Sequence, residues 1–230
     1  MSSLDFEGDY GRTYARTIRN SIPGYDALLE IATAALAANA AAASTALVVG
    51  PGLGEELPGM LAALPAATFT LLEPSEQMAR GCAAVIAREG AGDRCRLLGV
   101  RLEEAGSLEG EPFDVVVCHH VLHLMRPEQQ RQALGQLCAR VKAGGLLLLS
   151  SYSEPAEAEV CDRMLAIGQS RLRQLGMAEE TLRQFMAARN TLVFSLDQAL
   201  LAEELAAAGL EPPLPLLQAL GSRMWLSRRP

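Results

Sequence analysis

A short apolar segment leads into a glycine-rich turn in the sequence ALVVGPGLG, which covers residues 46–54. Gly50, Gly52 and Gly54 let the backbone turn sharply and leave room for a ligand where a Cβ atom would collide. Glu73 follows nineteen residues after Gly54, at the end of the next apolar segment. A carboxylate in that place can accept hydrogen bonds from both hydroxyls of a ribose. The turn and the acid together predict a nucleoside-binding site on an α/β sheet.

The three histidines of the protein all lie within five residues, at His119, His120 and His123. A neutral imidazole can remove the proton of an acceptor group, so His119 and His123 are candidate catalytic bases. If the acceptor is a hydroxyl group, activity should then fall as the pH drops through about 6.5, the reference pKa of histidine. A structural role for at least one histidine, satisfying backbone groups at a strand end, stays open. A metal centre is the least favoured interpretation, because the protein has no other histidine and no Cys-x-x-Cys pair.

These residues need a framework that alternates strands and helices, and the pattern between residues 46 and 150 predicts one. Apolar segments typical of buried strands cover residues 46–49, 68–72, 94–99, 113–118 and 145–150. Helical patterns between them cover residues 55–64, 77–88 and 128–141. This alternation predicts a parallel sheet with helices on both faces. The predicted elements that follow are a polar helical insert, a helix and a terminal hairpin, at residues 155–190, 196–208, and 215–218 with 223–227.

Length and composition limit the classes of protein that fit. A chain of 230 residues can form one sizeable α/β domain, and a net charge of −7 with a pI near 5.1 argues against a nucleic-acid partner. No uninterrupted apolar segment approaches the roughly 20 residues of a membrane-spanning helix, and the first residues lack the pattern of a signal peptide. The five scattered cysteines suit reduced thiols. We therefore expect a cytoplasmic protein with neither a membrane nor a nucleic-acid partner.

Four segments resemble the class I S-adenosylmethionine-dependent methyltransferases, with the order and spacing of that family: residues 49–54, 72–78, 113–123 and 141–146. The resemblance implies a Rossmann-like α/β fold with a seven-stranded, mostly parallel sheet, helices on both faces and a helical cap insert. It also implies an enzyme that transfers a methyl group from S-adenosyl-L-methionine to a small molecule and releases S-adenosyl-L-homocysteine. The G-x-G-x-G spacing favours this family over the dinucleotide-binding dehydrogenases, whose fingerprint is G-x-G-x-x-G.

The resemblance implies roles for particular residues. The glycine turn would run beneath the methionine and ribose parts of the cofactor, Glu73 would hold the ribose hydroxyls, and Met78 would lie against the adenine. Backbone groups after the third strand would serve the adenine, and residues just beyond the fourth strand would lie beside the methyl sulfonium. The full set of implied cofactor-binding residues is Gly50, Pro51, Gly52, Gly54, Glu73, Pro74, Met78, Arg101, Leu102, Cys118 and His119.

The resemblance also divides the chain into four segments. Residues 1–44 would form a helical lid, in which Tyr10, Tyr14 and Tyr25 cover the site or contact the substrate. The other segments would be the cofactor-binding core, the helical cap insert, and the C-terminal helix with its hairpin, at residues 45–154, 155–195 and 196–230.

A closer similarity links residues 21–25 and the helical insert to the carboxy-S-adenosylmethionine synthases of tRNA wobble modification. That subfamily carries an arginine for the extra carboxylate on the helix before the terminal hairpin, where residues 201–209 contain two glutamates and no arginine. Val48 and Val100 also stand where the wider family usually or often has acidic residues. The alternatives are therefore a synthase of this type, or a catalytically inactive cofactor-binding protein of the same fold. The shared architecture also suggests a homodimer formed through the insert.

Overall fold

The computed structural model describes Glu7 and residues 17–230. The strands are Thr45–Val49 (β1), Thr68–Leu72 (β2), Cys95–Leu98 (β3), Phe113–His119 (β4), Val141–Tyr152 (β5), Leu214–Ala219 (β6) and Ser222–Arg228 (β7). They form one sheet in the order β3-β2-β1-β4-β5-β7-β6. Strands β1 to β5 pair in parallel, whereas β7 runs antiparallel to both of its neighbours. The predicted fold class, with its seven-stranded and mostly parallel sheet, is confirmed.

Helices cover both faces of this sheet. From Tyr25 onwards the α-helices are Tyr25–Ala40 (α1), Leu57–Ala63 (α2), Glu76–Arg88 (α3), Pro127–Ala139 (α4), Ala158–Gln174 (α5), Glu179–Ala187 (α6) and Gln198–Ala207 (α7). Helices α1 to α3 pack on one face, and α4 and α7 pack on the other. The central strands are buried from both sides, which explains why their sequences are almost continuously apolar.

The fifth strand begins earlier than predicted, at Val141 instead of residue 145, and α4 ends at Ala139. The pairing of β4 with β5 shifts register here, because Phe113 pairs with Val141 whereas Val115 already pairs with Leu146. Glycine makes this bulge feasible. Gly144 has a φ of +77°, and a Cβ on Gly145 would lie 2.9 Å from a carbonyl oxygen of the neighbouring strand. The glycine pair that resembles a turn in the sequence is therefore an irregularity inside a long strand.

The candidate site lies at the carboxyl-terminal edge of the three central strands. Val49 at the end of β1 pairs with Leu72 on β2 and with Cys118 on β4. The residues that follow these strand positions are therefore adjacent in space, although they are far apart in the chain. This places Gly50, Glu73 and His119 at one edge of the sheet, where ligands bind in open α/β folds.

Hydrogen bonds and ion pairs fasten the helical insert after β5 to the remainder of the domain. At its amino-terminal side, Glu154 accepts a hydrogen bond from the hydroxyl of Tyr152 and pairs with the guanidinium of Arg189. On α5, the guanidinium of Arg171 donates to the backbone oxygen of Asn20 at 2.6 Å. The insert thus contacts the segment that precedes α1, close to the edge of the sheet that carries the candidate site.

Candidate functional site

The glycine turn after β1 adopts a conformation that other residues rarely take. Gly50, Gly52 and Gly54 have φ values of +68°, +56° and +77°. A Cβ atom on Gly50 would lie 2.4 Å from Cγ2 of Val121, and one on Gly54 would lie 3.2 Å from Sγ of Cys82. Both the backbone angles and the close approach of neighbouring residues therefore require glycine. The turn is a cradle whose backbone is exposed to a ligand without intervening side chains.

Glu73 is buried beside this turn, with 6% of its surface exposed. Its Oε2 accepts a hydrogen bond from the amide of Gly52 at 3.0 Å, and its Oε1 accepts one from the amide of Ser75 at 3.0 Å. Burial raises the pKa of Glu73, and the two backbone hydrogen bonds oppose that effect. Each carboxylate oxygen keeps a lone pair free for a further donor. The side chain is thus fixed in place with capacity to accept two hydroxyl groups.

The histidines separate into two environments. His119 is buried, its Nδ1 lies 3.0 Å from Oγ of Ser150, and its Nε2 has no hydrogen-bond partner among residues 17–230. His119 and His120 line a small pocket together with the glycine turn. The ring of His123 instead lies edge-on to His120, with 5.5 Å between centroids, and its carbonyl accepts from the amide of Phe194. His119 is therefore the better placed of the two candidate bases.

The structure changes the expected pH dependence of the histidines. Burial lowers the pKa of His119 and of His123 to about 4, and burial also lowers that of His120. The imidazoles are therefore neutral at physiological pH. If the acceptor is a hydroxyl group, the loss of activity expected near pH 6.5 belongs near pH 4.

We expect the ring-proton NMR signals of His119 and His123 to stay constant between about pH 8 and pH 6. The unfolded chain binds more protons than the folded one between pH 6.5 and about 4, so these residues lower the free energy of unfolding as the pH falls through that window. A His119 signal that titrates near pH 6.5 in the folded protein would contradict the buried placement.

The structure shows where two of the expected cofactor-binding groups lie. The thiol of Cys118 is fully buried in the apolar cluster between the sheet and α4, on the face opposite the pocket, and burial raises its pKa to about 12. Only its main chain can contact a ligand at the site. The amide of Arg101 donates to Oε2 of Glu104 at 3.1 Å, and Leu102 is buried in the same cluster as Cys118. The backbone amide of Arg101 is therefore already engaged within this loop.

The remaining predicted residues have mixed placements. Met78 is almost fully buried on α3, its amide donates to Oγ of Ser75, and Pro74 is exposed between Glu73 and that helix. Tyr25 lines the pocket, and the guanidinium of Arg19 lies 5.3 Å from the centre of its ring. Tyr10 and Tyr14 lie outside the described residues.

Among the pocket residues that were not predicted from the sequence, Glu56 is a buried acid. Glu56 has 8% of its surface exposed and lines the pocket with Gly50, Pro51 and His119. The available signal was an acidic residue two positions after the last glycine of the turn. Together with Glu55 it looks like the solvent-exposed start of a helix, so the burial of Glu56 is not apparent from the sequence. Among the described residues, no cluster of three His, Cys, Asp or Glu side chains could hold a metal ion.

Comparison with known proteins gives consistent results. Residues 47–147 match the family model of a methyltransferase domain. A carboxy-S-adenosyl-L-methionine synthase from Pseudomonas putida is 28% identical over 94% of this chain and 88% of its own length.

Solved structures show the same architecture. A magnesium protoporphyrin IX methyltransferase from Synechocystis PCC 6803 with bound S-adenosylhomocysteine has a TM-score of 0.69 and 17% identity, covering 98% of this chain and 97% of that one. The mitomycin 7-O-methyltransferase MmcR has a TM-score of 0.62 and 23% identity over 94% of this chain. The present chain spans 58% of the length of MmcR. At these identities the likeness establishes the fold.

Proposed function

We propose that this chain, which carries a methyltransferase domain on the class I fold, transfers a methyl group from S-adenosyl-L-methionine to a small molecule. The observation that carries the proposal is the buried carboxylate of Glu73 beside a glycine turn that has no room for Cβ atoms. This carboxylate is fixed by the amides of Gly52 and Ser75 and can still accept the two hydroxyls of a ribose. The Synechocystis enzyme of the same fold holds a nucleoside of this kind.

The residues of the chain act mainly by positioning. When bound, S-adenosyl-L-methionine supplies an activated methyl group, so the protein needs little chemistry of its own. Glu73 would hold the ribose, and the backbone of the glycine turn would lie along the remainder of the cofactor. The pocket beside His119 would orient the acceptor and exclude water, an effect worth roughly 7–11 kcal/mol in well-oriented reactions.

His119 is proposed to orient the acceptor. With its proton on Nδ1, the ring donates to Ser150 Oγ and leaves Nε2 free to accept a hydrogen bond. A pKa of about 4 makes this imidazole a weak base at neutral pH, so alignment supplies more of the rate than proton removal. His123 packs against His120 and is assigned a structural role.

The helical insert is the part of the chain proposed to contact both the acceptor and a second copy of the chain. Helices α5 and α6 would cap the small-molecule acceptor, and Val160, Ile167 and Phe185 expose apolar side chains on them that a second copy of the chain could cover. A cytoplasmic location is proposed from the five cysteines, all of which are free thiols in the structure. In the part of the chain that the structure describes, no helix is both long and apolar enough to cross a membrane.

A second candidate function is synthesis of carboxy-S-adenosyl-L-methionine. It is favoured by the similarity to the Pseudomonas putida synthase over 94% of the chain. Helix α7 argues against it, because Glu203 and Glu204 both pair with Arg131 on the outer surface of α4 and offer no cation to a carboxylate. Methyl transfer is therefore the primary proposal.

The mass of the ligand that the purified protein retains separates these functions. Native mass spectrometry, followed by release and identification of the ligand, is expected to find S-adenosyl-L-methionine or S-adenosyl-L-homocysteine. If nothing is retained, the same readout is taken after incubation with S-adenosyl-L-methionine. A carboxylated cofactor would instead support the synthase. A dinucleotide, or no complex with either sulfur nucleoside, would contradict both proposals.

A further inference from the structure

Glu56 is a buried acid that the proposed methyl transfer leaves without a role. It stands immediately before α2, only 8% of its surface is exposed, and it lines the pocket formed by the glycine turn and His119. Its Oε1 is fully buried and has no hydrogen-bond partner among residues 17–230. A buried polar atom without a partner costs free energy, so its presence in a ligand pocket indicates a missing donor.

The described surroundings of Glu56 contain carboxylates and neutral groups. Burial raises the pKa of Glu56, and the negative charges of Glu55 and Glu73 raise it further, although Glu55 is itself paired with the guanidinium of Arg19 at 3.1 Å. His119 and His120 line the same pocket and are neutral because burial lowers their pKa. The neighbouring thiols, those of Cys82 and Cys118, are also un-ionised, since burial raises the pKa of each to about 12. No ion pair to Glu56 forms within residues 17–230.

The chain also lacks an acid at a second position next to the turn. Val48, two residues before Gly50, is fully buried in the apolar cluster between the sheet and helices α1 to α3. Its side chain offers no acceptor to a charged ligand. Glu55 and Glu56 both line the pocket, and because Glu55 is paired with Arg19, Glu56 is the carboxyl group with an unpartnered oxygen there.

We propose that the Glu56 carboxylate binds the α-ammonium group of the cofactor's amino-acid tail. This inference rests on the proposed function, because the cofactor must first occupy the glycine turn. An ammonium group provides the positive charge and the directional N–H donors that the unpartnered Oε1 requires. The α-ammonium is common to S-adenosyl-L-methionine and S-adenosyl-L-homocysteine, whereas 5′-methylthioadenosine lacks the amino-acid tail entirely.

A proton balance follows from this assignment. Burial raises the pKa of Glu56 to about 8 in the free protein, so the carboxyl group is largely protonated at pH 7. When the ammonium binds, the Glu56 O–H bond breaks, the carboxylate remains in the ion pair and the proton passes to solvent. Binding of S-adenosyl-L-homocysteine should therefore release nearly one proton at pH 7 and should tighten as the pH rises towards about 8. Binding of 5′-methylthioadenosine should release none from this group.

Titration calorimetry in two buffers of different ionisation enthalpy measures this proton directly. For the wild-type protein at pH 7 we expect release with S-adenosyl-L-homocysteine and no release with 5′-methylthioadenosine. If S-adenosyl-L-homocysteine binds without releasing a proton, the assignment is overturned. This arm uses the unmodified protein and stands even if a variant fails to fold. Failure of the wild type to bind either nucleoside would contradict the proposed function instead.

The variant Glu56→Gln keeps the size of the side chain and removes its charge. We expect it to bind S-adenosyl-L-homocysteine about 10- to 100-fold more weakly and without proton release, since a hydrogen bond between charged groups is lost. Its affinity for 5′-methylthioadenosine should stay within about twofold of the wild type, which also shows that it is folded. The matched control is Glu76→Gln, which makes the same substitution at a side chain that is 87% exposed and does not line the pocket. Equal losses for both nucleosides, or in both variants, would contradict a specific ammonium site.

Discussion

Replacing Glu73 by alanine is expected to weaken binding of S-adenosyl-L-homocysteine by about 100- to 10,000-fold. Two hydrogen bonds between the carboxylate and the ribose hydroxyls would be lost, each worth roughly 1.5–3 kcal/mol for a charged acceptor. The variant also releases the amides of Gly52 and Ser75, which Glu73 holds at 3.0 Å. Equilibrium titration with the purified variant measures the loss.

Glu76→Ala is the matched control for this variant. It makes the same substitution three residues further along the chain, where 87% of the side chain is exposed and the carboxylate forms a long ion pair with Arg80 at 3.7 Å. We expect its cofactor affinity to equal that of the wild type. Unchanged affinity in Glu73→Ala would remove the ribose assignment.

Replacing Gly50 by alanine is expected to lower the free energy of unfolding by about 1–3 kcal/mol and to abolish measurable cofactor binding. The added Cβ would lie 2.4 Å from Cγ2 of Val121, and the backbone would hold an alanine at a φ of +68°. Relief of the contact with Val121, or of the strained φ, would move the turn on which the cofactor should lie. Urea denaturation and ligand titration measure the two effects.

Two further variants separate the causes. In Gly50→Ala/Val121→Ala the steric contact is gone and the strained φ remains, so stability should recover only in part. Gly92→Ala is the control, because a Cβ there meets no atom within 4 Å and its φ is not positive. Full recovery in the double variant would show that φ strain is unimportant, and an equal loss in Gly92→Ala would show a general effect of alanine.

Most of the sheet was predictable because its central strands are buried on both faces. The predicted limits of β2 agree with the structure, since Thr68–Leu72 is a run of threonine and large apolar residues that follows Pro65 and ends before Glu73 and Pro74. The start of β5 was missed because Gly144 and Gly145 signal a turn locally. Their bulge depends on the register with β4, which is a long-range interaction that local sequence does not encode.

The candidate site was predictable where it follows from strand ends, and less so where it depends on burial. Glu73 and the glycine turn come directly after apolar segments, so their adjacency follows from parallel pairing. The direction of the Cys118 side chain depends on which face of β4 it occupies, and the low pKa of His119 depends on groups that cover it. Glu56 was missed for the same reason, because its burial results from packing and not from its position in the sequence.

Titration calorimetry with S-adenosyl-L-methionine, S-adenosyl-L-homocysteine and NAD tests the central claim most directly. The three ligands share an adenosine and differ in the group attached to its ribose. Differences in affinity therefore report which of these groups the glycine turn accepts. We expect both sulfur nucleosides to bind to one site per chain, to compete with each other, and to lose affinity together in Glu73→Ala. We also expect little or no heat with NAD. Tight binding of NAD without a response to either sulfur nucleoside would contradict the central claim.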